Sequence, residues 1–188
     1  MRFNVYKLLF TLIFMNCIVK AASIAYLPGI SPESAGSGRQ WPNPRFTSDS
    51  TGNCMTDNLT GLIWAKSANL FGTVPWGASS TSGTAQYKIA QMNESSSATG
   101  YHLCGYSDWR LPNIVELSSL INYSATQTSS TPAVWLSSQG FSNVKADTYW
   151  SSTANSTSLA WNVAFDVGTY SYEALSQSRY VWPVRGGK

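Results

Sequence analysis

Apolar and polar positions alternate in short bursts along this chain, and Gly, Pro, Asn and Ser separate the bursts. Cys54-Met55-Thr56-Asp57 and Leu62-Ile63-Trp64-Ala65-Lys66 are two short strand candidates, joined by the turn-forming run Asn58-Leu59-Thr60-Gly61. Residues 67–83 have loop composition. Over 84–93 the spacing of Ala85, Ile89, Ala90 and Met92 predicts a helix with one apolar face. A dense junction follows in Cys104-Gly105-Tyr106-Ser107-Asp108-Trp109-Arg110-Leu111-Pro112-Asn113. Pro112 forces Leu111 out of the helical region. Asn113 is a good N-cap, and Glu116 three residues on completes a variant of the capping box. Ile114, Leu117, Leu120 and Ile121 then form a helical stripe, so a helix is predicted over 113–122.

The C-terminal third reads differently. Sixteen of the 38 residues in 123–160 are Ser or Thr, which offers hydroxyls rather than charge. Tyr149-Trp150-Ser151-Ser152 has the look of a strand leaving this region. Trp161, Val163, Phe165 and Val167 alternate with polar or small residues, the period of a half-buried strand, and Gly168-Thr169 turns the chain. Tyr180, Trp182 and Val184 alternate in a last strand, which Pro183 places at an edge or a bulge. Trp64, Trp109, Trp150 and Trp161 are expected in the core, and Asp108 and Arg110 are expected to pair or to hold backbone at the junction. Short strands with two helices packed on them make an α+β domain.

Composition limits the partners. Arg2 and Lys7 precede an apolar stretch from Leu8 to Val19, and small residues follow it, so residues 1–22 read as a secretory signal peptide, with a retained anchor as the alternative. No membrane span is expected after cleavage. Loss of Arg2, Lys7 and Lys20 from the 12 Lys and Arg leaves nine, against 9 Asp and Glu. The basic balance therefore belongs to the targeting segment and gives no support for a nucleic-acid partner. Residues 23–45, rich in Pro and Gly, read as a linker, or as an N-terminal arm that docks through Tyr26 and Trp41. The globular part is expected over 46–188. Cys17 leaves with the signal, and in an oxidising compartment Cys54 and Cys104 read as a disulfide, with two buried thiols as the alternative.

Familiar reactive constellations are missing from the sequence. Gly-x-Ser-x-Gly, His-Glu-x-x-His and a phosphate-binding loop do not occur, and His102 is the single histidine. The expectation is a protein that is not an enzyme and carries no cofactor and no metal. Clustered oxygen ligands of the calcium-dependent lectin kind, Glu-Pro-Asn or Gln-Pro-Asp, are absent, and Trp161-Asn162-Val163 puts Val where a ligand Asp would stand.

Thr56-Asp57-Asn58-Leu59-Thr60-Gly61-Leu62-Ile63-Trp64 resembles the opening motif of the bacterial Lcl C-terminal-domain family. Gly105 to Asn113 with Glu116, Leu117 and Leu120 resembles its central motif, in which Asp108, Trp109, Arg110 and Pro112 stand as structural residues. Tyr149 to Thr153, Ala160-Trp161 through Phe165 and Gly168, and Val184-Arg185-Gly186 resemble its last three. The resemblance spans roughly residues 50–187. It implies a C-type-lectin-like fold in exported or surface-exposed bacterial proteins, and it favours sulfated polysaccharide as one ligand class, against which the balanced charge of the processed chain counts. Loops 123–148 and 153–160 and the turn at 168–179 should then cluster at one end. The candidate ligand residues are Trp135, Asn155, Asn162, Tyr170, Tyr172 and Arg179, since Tyr, Asn and Ser suit adaptable recognition. The expected function is calcium-independent binding of a glycan or surface-protein ligand by an exported adhesin in the periplasm, at the surface or secreted. The competing expectation is an assembly component of a surface complex, including a display protein diversified by a retroelement.

Overall fold

A computed structural model describes residues 41–123 and 130–186. The expected signal peptide, most of the expected linker with Tyr26, and part of the Ser/Thr-rich region lie outside the described residues. The described strands are β1 (Phe46–Ser48), β2 (Cys54–Asp57), β3 (Ile63–Ala65), β4 (Thr73–Pro75), β5 (Thr148–Ala154), β6 (Leu159–Ala164), β7 (Thr169–Ala174), β8 (Ser178–Tyr180) and β9 (Val184–Arg185). The helices are α1 (Ala85–Glu94), α2 (Ile114–Ser118) and α3 (Pro132–Ser138). The molecule is α+β, with one four-stranded sheet in the order β1-β2-β3-β9 and one five-stranded sheet in the order β4-β8-β5-β6-β7. No helix among the described residues is long and apolar enough to cross a membrane.

The expected hairpin of β2 and β3 forms, with Met55 opposite Trp64. Its turn is held by Asp57, whose carboxylate accepts from the Leu59 amide at 2.9 Å while its carbonyl accepts from Gly61 at 2.8 Å. The same carboxylate faces Arg45 at 3.1 Å, and both side chains are buried. Arg45 also donates to the Ser119 carbonyl at 2.6 Å and stacks under Trp41, its guanidinium carbon 4.1 Å from the ring centroid. Residues 41–45 pack on the domain through Trp41 and Arg45. The Cys54–Cys104 disulfide is present and ties β2 to the 3-10 turn Leu103–Gly105. That turn carries successive positive φ values at Cys104 (54°) and Gly105 (81°), a reversal that favours glycine at the second position.

Three expectations change. The helix predicted over 113–122 stops at Ser118, because the Ser119 side chain donates to the Glu116 carbonyl at 2.7 Å and ends the ladder. Leu120 and Ile121 are still buried, in the turn beyond it. A third helix, α3, stands where a loop was expected. Thr131 caps it and Pro132 occupies its first turn, a start signal hidden by the Ser/Thr-rich background. The single last strand is in fact two strands in different sheets. Val181, Trp182 and Pro183 carry the chain from β8 across to β9.

That crossing is the centre of the core. Trp182 is fully buried, and its ring lies 5.8 Å from Trp64, 5.1 Å from Phe141, 5.6 Å from Tyr149 and 5.8 Å from Phe165, centroid to centroid. Its indole N–H donates to the Ala65 carbonyl at 2.8 Å, and the Pro183 carbonyl accepts from the Ala65 amide at 3.0 Å. Rings from both sheets therefore meet on one side chain. Trp64, Trp109 and Trp150 are buried as expected, but Trp161 is only half-buried. Trp182→Ala should cost about 3–5 kcal/mol in urea unfolding, the usual range for an aromatic truncated in a core. Asp57→Ala, which leaves Arg45 buried without its counter-charge, should cost about 3–5 kcal/mol by the same measurement.

Candidate functional site

β6 and β7 form an antiparallel hairpin through a turn at Asp166–Gly168, closed by the Gly168 amide donating to the Ala164 carbonyl at 2.8 Å. The register sets Trp161 directly opposite Tyr172 and Val163 opposite Tyr170. Side chains alternate faces with period two, so Trp161, Tyr170 and Tyr172 share one face. The Trp161 ring stands edge-on to Tyr172 at 5.3 Å and tilted to Tyr170 at 5.9 Å. Tyr170 is 61% exposed, on an edge strand that is solvent-facing along most of its length.

α2 walls this aromatic platform. Its orientation is set by the central motif. Asn113 accepts from the Glu116 amide at 2.9 Å, and the Glu116 carboxylate accepts from the Asn113 amide at 2.9 Å, a complete capping box. The Ser152 amide donates to the Pro112 carbonyl at 2.7 Å, and the Ile114 amide donates to the Thr153 hydroxyl at 3.0 Å, so α2 is pinned on β5. The result is an apolar groove of about 330 Å³ lined by Ile114, Val115, Ser118, Trp161 and Tyr170.

A second concavity of about 650 Å³ lies between α1 and the junction, with Gln86, Asn93, Glu94, Trp109, Arg110 and Glu116 in its lining. Most of its polar groups are engaged in structure. The Asn93 amide donates to the Trp109 carbonyl at 2.7 Å and accepts from its N–H at 3.0 Å. Arg110 forks onto both Glu116 oxygens at 2.7 Å and reaches the Gly186 carbonyl at 2.9 Å. Burial works to raise the Glu116 pKa, but the Arg110 guanidinium and the Asn113 amide outweigh it and hold the carboxyl below its ordinary value. Donation to the Glu116 carboxylate raises Arg110 in turn. Arg110 holds backbone at the junction through the Gly186 carbonyl, as expected, and Asp108 pairs with Arg185 at 2.7 Å, because the Arg110–Val184 bridge brings β9 alongside the junction.

The residues expected to bind ligand fall in four places. Tyr170 and Tyr172 are on the platform. Asn162 is buried on the opposite face, donating to Glu173 at 3.2 Å. Arg179 is bound to that same Glu173 through two bonds at 2.7 and 2.8 Å, and this pairing raises its pKa. Asn155 is exposed in the β5–β6 turn. Trp135, on α3, packs half-buried against Trp41 and Phe46 at ring distances of 5.9 and 6.0 Å. The predicted loops therefore do not gather at one end. The β5–β6 turn meets Leu175 at the start of β6, whereas α3 binds the backbone of Phe165 beyond its end. His102 stacks on Tyr101 at 3.9 Å and contacts the Asn93 carbonyl, a local structural role. Asp49, Cys54 and Cys104 approach one another within 4.8 Å, but both sulfurs are joined in the disulfide.

Trp161, Ile114 and Val115 line the groove but are not among the candidate ligand residues of the sequence. Trp161 is expected in the core because large rings dominate cores, yet it is half-buried. Val115 carried a signal, since it is an apolar residue set beside the Ile114–Leu117–Ile121 stripe, and it is 74% exposed.

The sequence model of the Lcl C-terminal domain family matches residues 53–185, well over half of the chain, and the chain belongs to that family. A search of curated proteins finds no match. Because Glu116 titrates below its ordinary value, its pairing stabilises the fold above the unfolded-state pKa, and that contribution is lost as pH falls through the lower folded-state pKa. The unfolding midpoint should drop on acidification below about pH 4.5, and Glu116→Gln should flatten that drop while lowering stability at pH 7.

Proposed function

We propose that this member of the Lcl C-terminal domain family is a non-enzymatic binding module, and that it recognises glycan without calcium through the Trp161–Tyr170–Tyr172 platform. The observation that carries the reading is an aromatic face left open to solvent beside a preformed apolar groove. Large rings are ordinarily buried, whereas Tyr170 on the β6–β7 hairpin is 61% exposed, which supports a role in contact. Sugar rings offer apolar C–H faces to such a surface and keep their hydroxyls in water. The groove volume of 330 Å³ is at the small-ligand end of binding sites. The C-type-lectin-like architecture implied by the family resemblance, and export directed by residues 1–22, fit an adhesin working outside the cytoplasm.

A second reading, an assembly component of a surface complex, draws on the exposed apolar Val115 and Val167. Glycan-array binding by the purified protein, with calcium and again with chelator, separates the two. Retention in chelator that is lost in Tyr170→Ala and Tyr172→Ala supports the glycan reading. Binding that needs calcium, or none on the array together with self-association in sedimentation, overturns it.

A further inference from the structure

We infer that the concavity of about 650 Å³ between α1 and the junction is a second binding site. It takes a ligand that carries an ammonium or guanidinium group on an aliphatic stem, either as a basic side chain of a peptide or as a free amine. α2 divides this concavity from the aromatic groove. Asn113 and Glu116 line the one, Ile114, Val115 and Ser118 line the other, and the two have no lining residue in common. The site therefore stands whether or not the platform binds glycan.

One helix presents a whole stripe to the cavity. Gln86, Ile89, Ala90, Asn93 and Glu94 recur at the i, i+3, i+4, i+7 and i+8 spacing that shares a face of α1. With Leu111 from the junction, Ile89 and Ala90 give an apolar patch on which a stem can lie. Asn93, Arg110 and Glu116 are spent on structure. Four polar groups of the lining are left over. The Gln86 side-chain amide, the Glu94 carboxylate, the Asn113 amide nitrogen and the Ser152 hydroxyl make no hydrogen bond among the described residues. An apolar patch ringed by a few unengaged polar groups, in a cavity of this size, is the ordinary form of a small-ligand site.

Glu94 sets the sign of the ligand. Every other described carboxylate is taken. Asp57, Asp108, Glu116 and Glu173 each hold an arginine. Asp49, Asp147 and Asp166 accept from backbone amides. Glu94 alone stands exposed on the cavity wall without a partner among the described residues. It is also the last residue of α1, whose final turn has no basic side chain. The C-terminal end of a helix carries partial negative charge, so an acidic side chain is disfavoured there and a cation is favoured. Arg110 on the opposite wall does not offset Glu94, because both oxygens of Glu116 answer its charge. The cavity is left with one unanswered negative charge. An ammonium group at Glu94, with its stem along the apolar patch, supplies the missing counter-charge. The amides of Gln86 and Asn113 and the Ser152 hydroxyl suit the amide groups of a peptide that carries it.

The test is an amide NMR titration of protein purified from the full-length chain at about 50 mM salt, where charge is weakly screened. The probes are N-acetyl-lysine-N-methylamide, its norleucine and glutamate counterparts, and cadaverine. The lysine probe is expected to bind at least ~10-fold more tightly than the norleucine one, with shifts along Gln86–Glu94 and at the Trp109 indole. In Glu94→Gln the two should bind within about twofold of one another. Glu94 is exposed and makes no internal bond, so this variant should keep the wild-type urea midpoint. A lysine probe that binds more tightly than cadaverine assigns the ligand to a peptide, and the reverse assigns it to a free amine. Norleucine or glutamate probes binding as tightly as lysine overturn the inference. Lysine binding that is unchanged in Glu94→Gln, or that shifts only residues outside the cavity, overturns it as well, and so does binding of no probe.

Discussion

Burial of the Trp182 indole between the two sheets is the contact on which the rest of the molecule depends. The chain enters it from β8, in the five-stranded sheet, and leaves it into β9, in the four-stranded one. Trp64 comes from one sheet, Tyr149 from the other, and Phe165 from just beyond β6, and all three close on the same ring. Pro183 makes the change of sheet possible, since it donates no ladder hydrogen bond and its carbonyl is taken by the Ala65 amide. Immediately after it, Val184 exchanges two backbone bonds with Arg110, at 2.9 and 3.0 Å. The tryptophan crossing thereby positions the junction. The junction positions α2 through Pro112 and Asn113, and α2 supplies Ile114 and Val115 to the groove. The site at the surface inherits its geometry from a side chain in the centre.

The charged residues serve the same end. With so few charges in the chain, a repeated use of arginine against carboxylate is informative. Arg45 binds the N-terminal segment to the β2–β3 turn, Arg110 binds the junction to α2, and Arg185 binds β9 to the junction. Surface ion pairs contribute little to stability one at a time. Here their work is positional: each joins segments that are adjacent in space and, for Arg185 and Asp108, 77 residues apart in sequence. The cysteine bridge adds a covalent tie between β2 and the 3-10 turn, across 50 residues. Polar chemistry is consumed in building the scaffold, and the open face is left aromatic.

Local signals in the chain translated well into structure wherever they act over a few residues. The β2–β3 hairpin was readable because Asn58 and Gly61 suit a turn and the flanking runs are apolar. The capping box was readable because its two bonds join residues three apart. The disulfide was readable because Cys54 and Cys104 are the two cysteines left once residues 1–22 are read as a signal peptide. The start of α3 was not readable, since Thr131 and Pro132 look like their Ser/Thr-rich surroundings until Ala133 and Leu136 are seen to be buried. Residue type points to Asn162 and Arg179 as ligand residues, but type cannot reveal that both are spent on Glu173.

Trp161 and Trp182 mark the division between what the chain determines by itself and what only its tertiary structure decides. Periodicity placed both in strands or strand-like runs, and capping, turn and cysteine signals determined the α+β elements and the disulfide, because those effects act over a turn, a hairpin or a single bond. Whether a tryptophan is enclosed depends on what packs over it from distant parts of the chain. Sheet order put four rings around Trp182 and left Trp161 at the margin beside α2. The identity of the open face was therefore decided by strand pairing between residues far apart in sequence, a constraint that no local pattern of hydrophobic residues encodes.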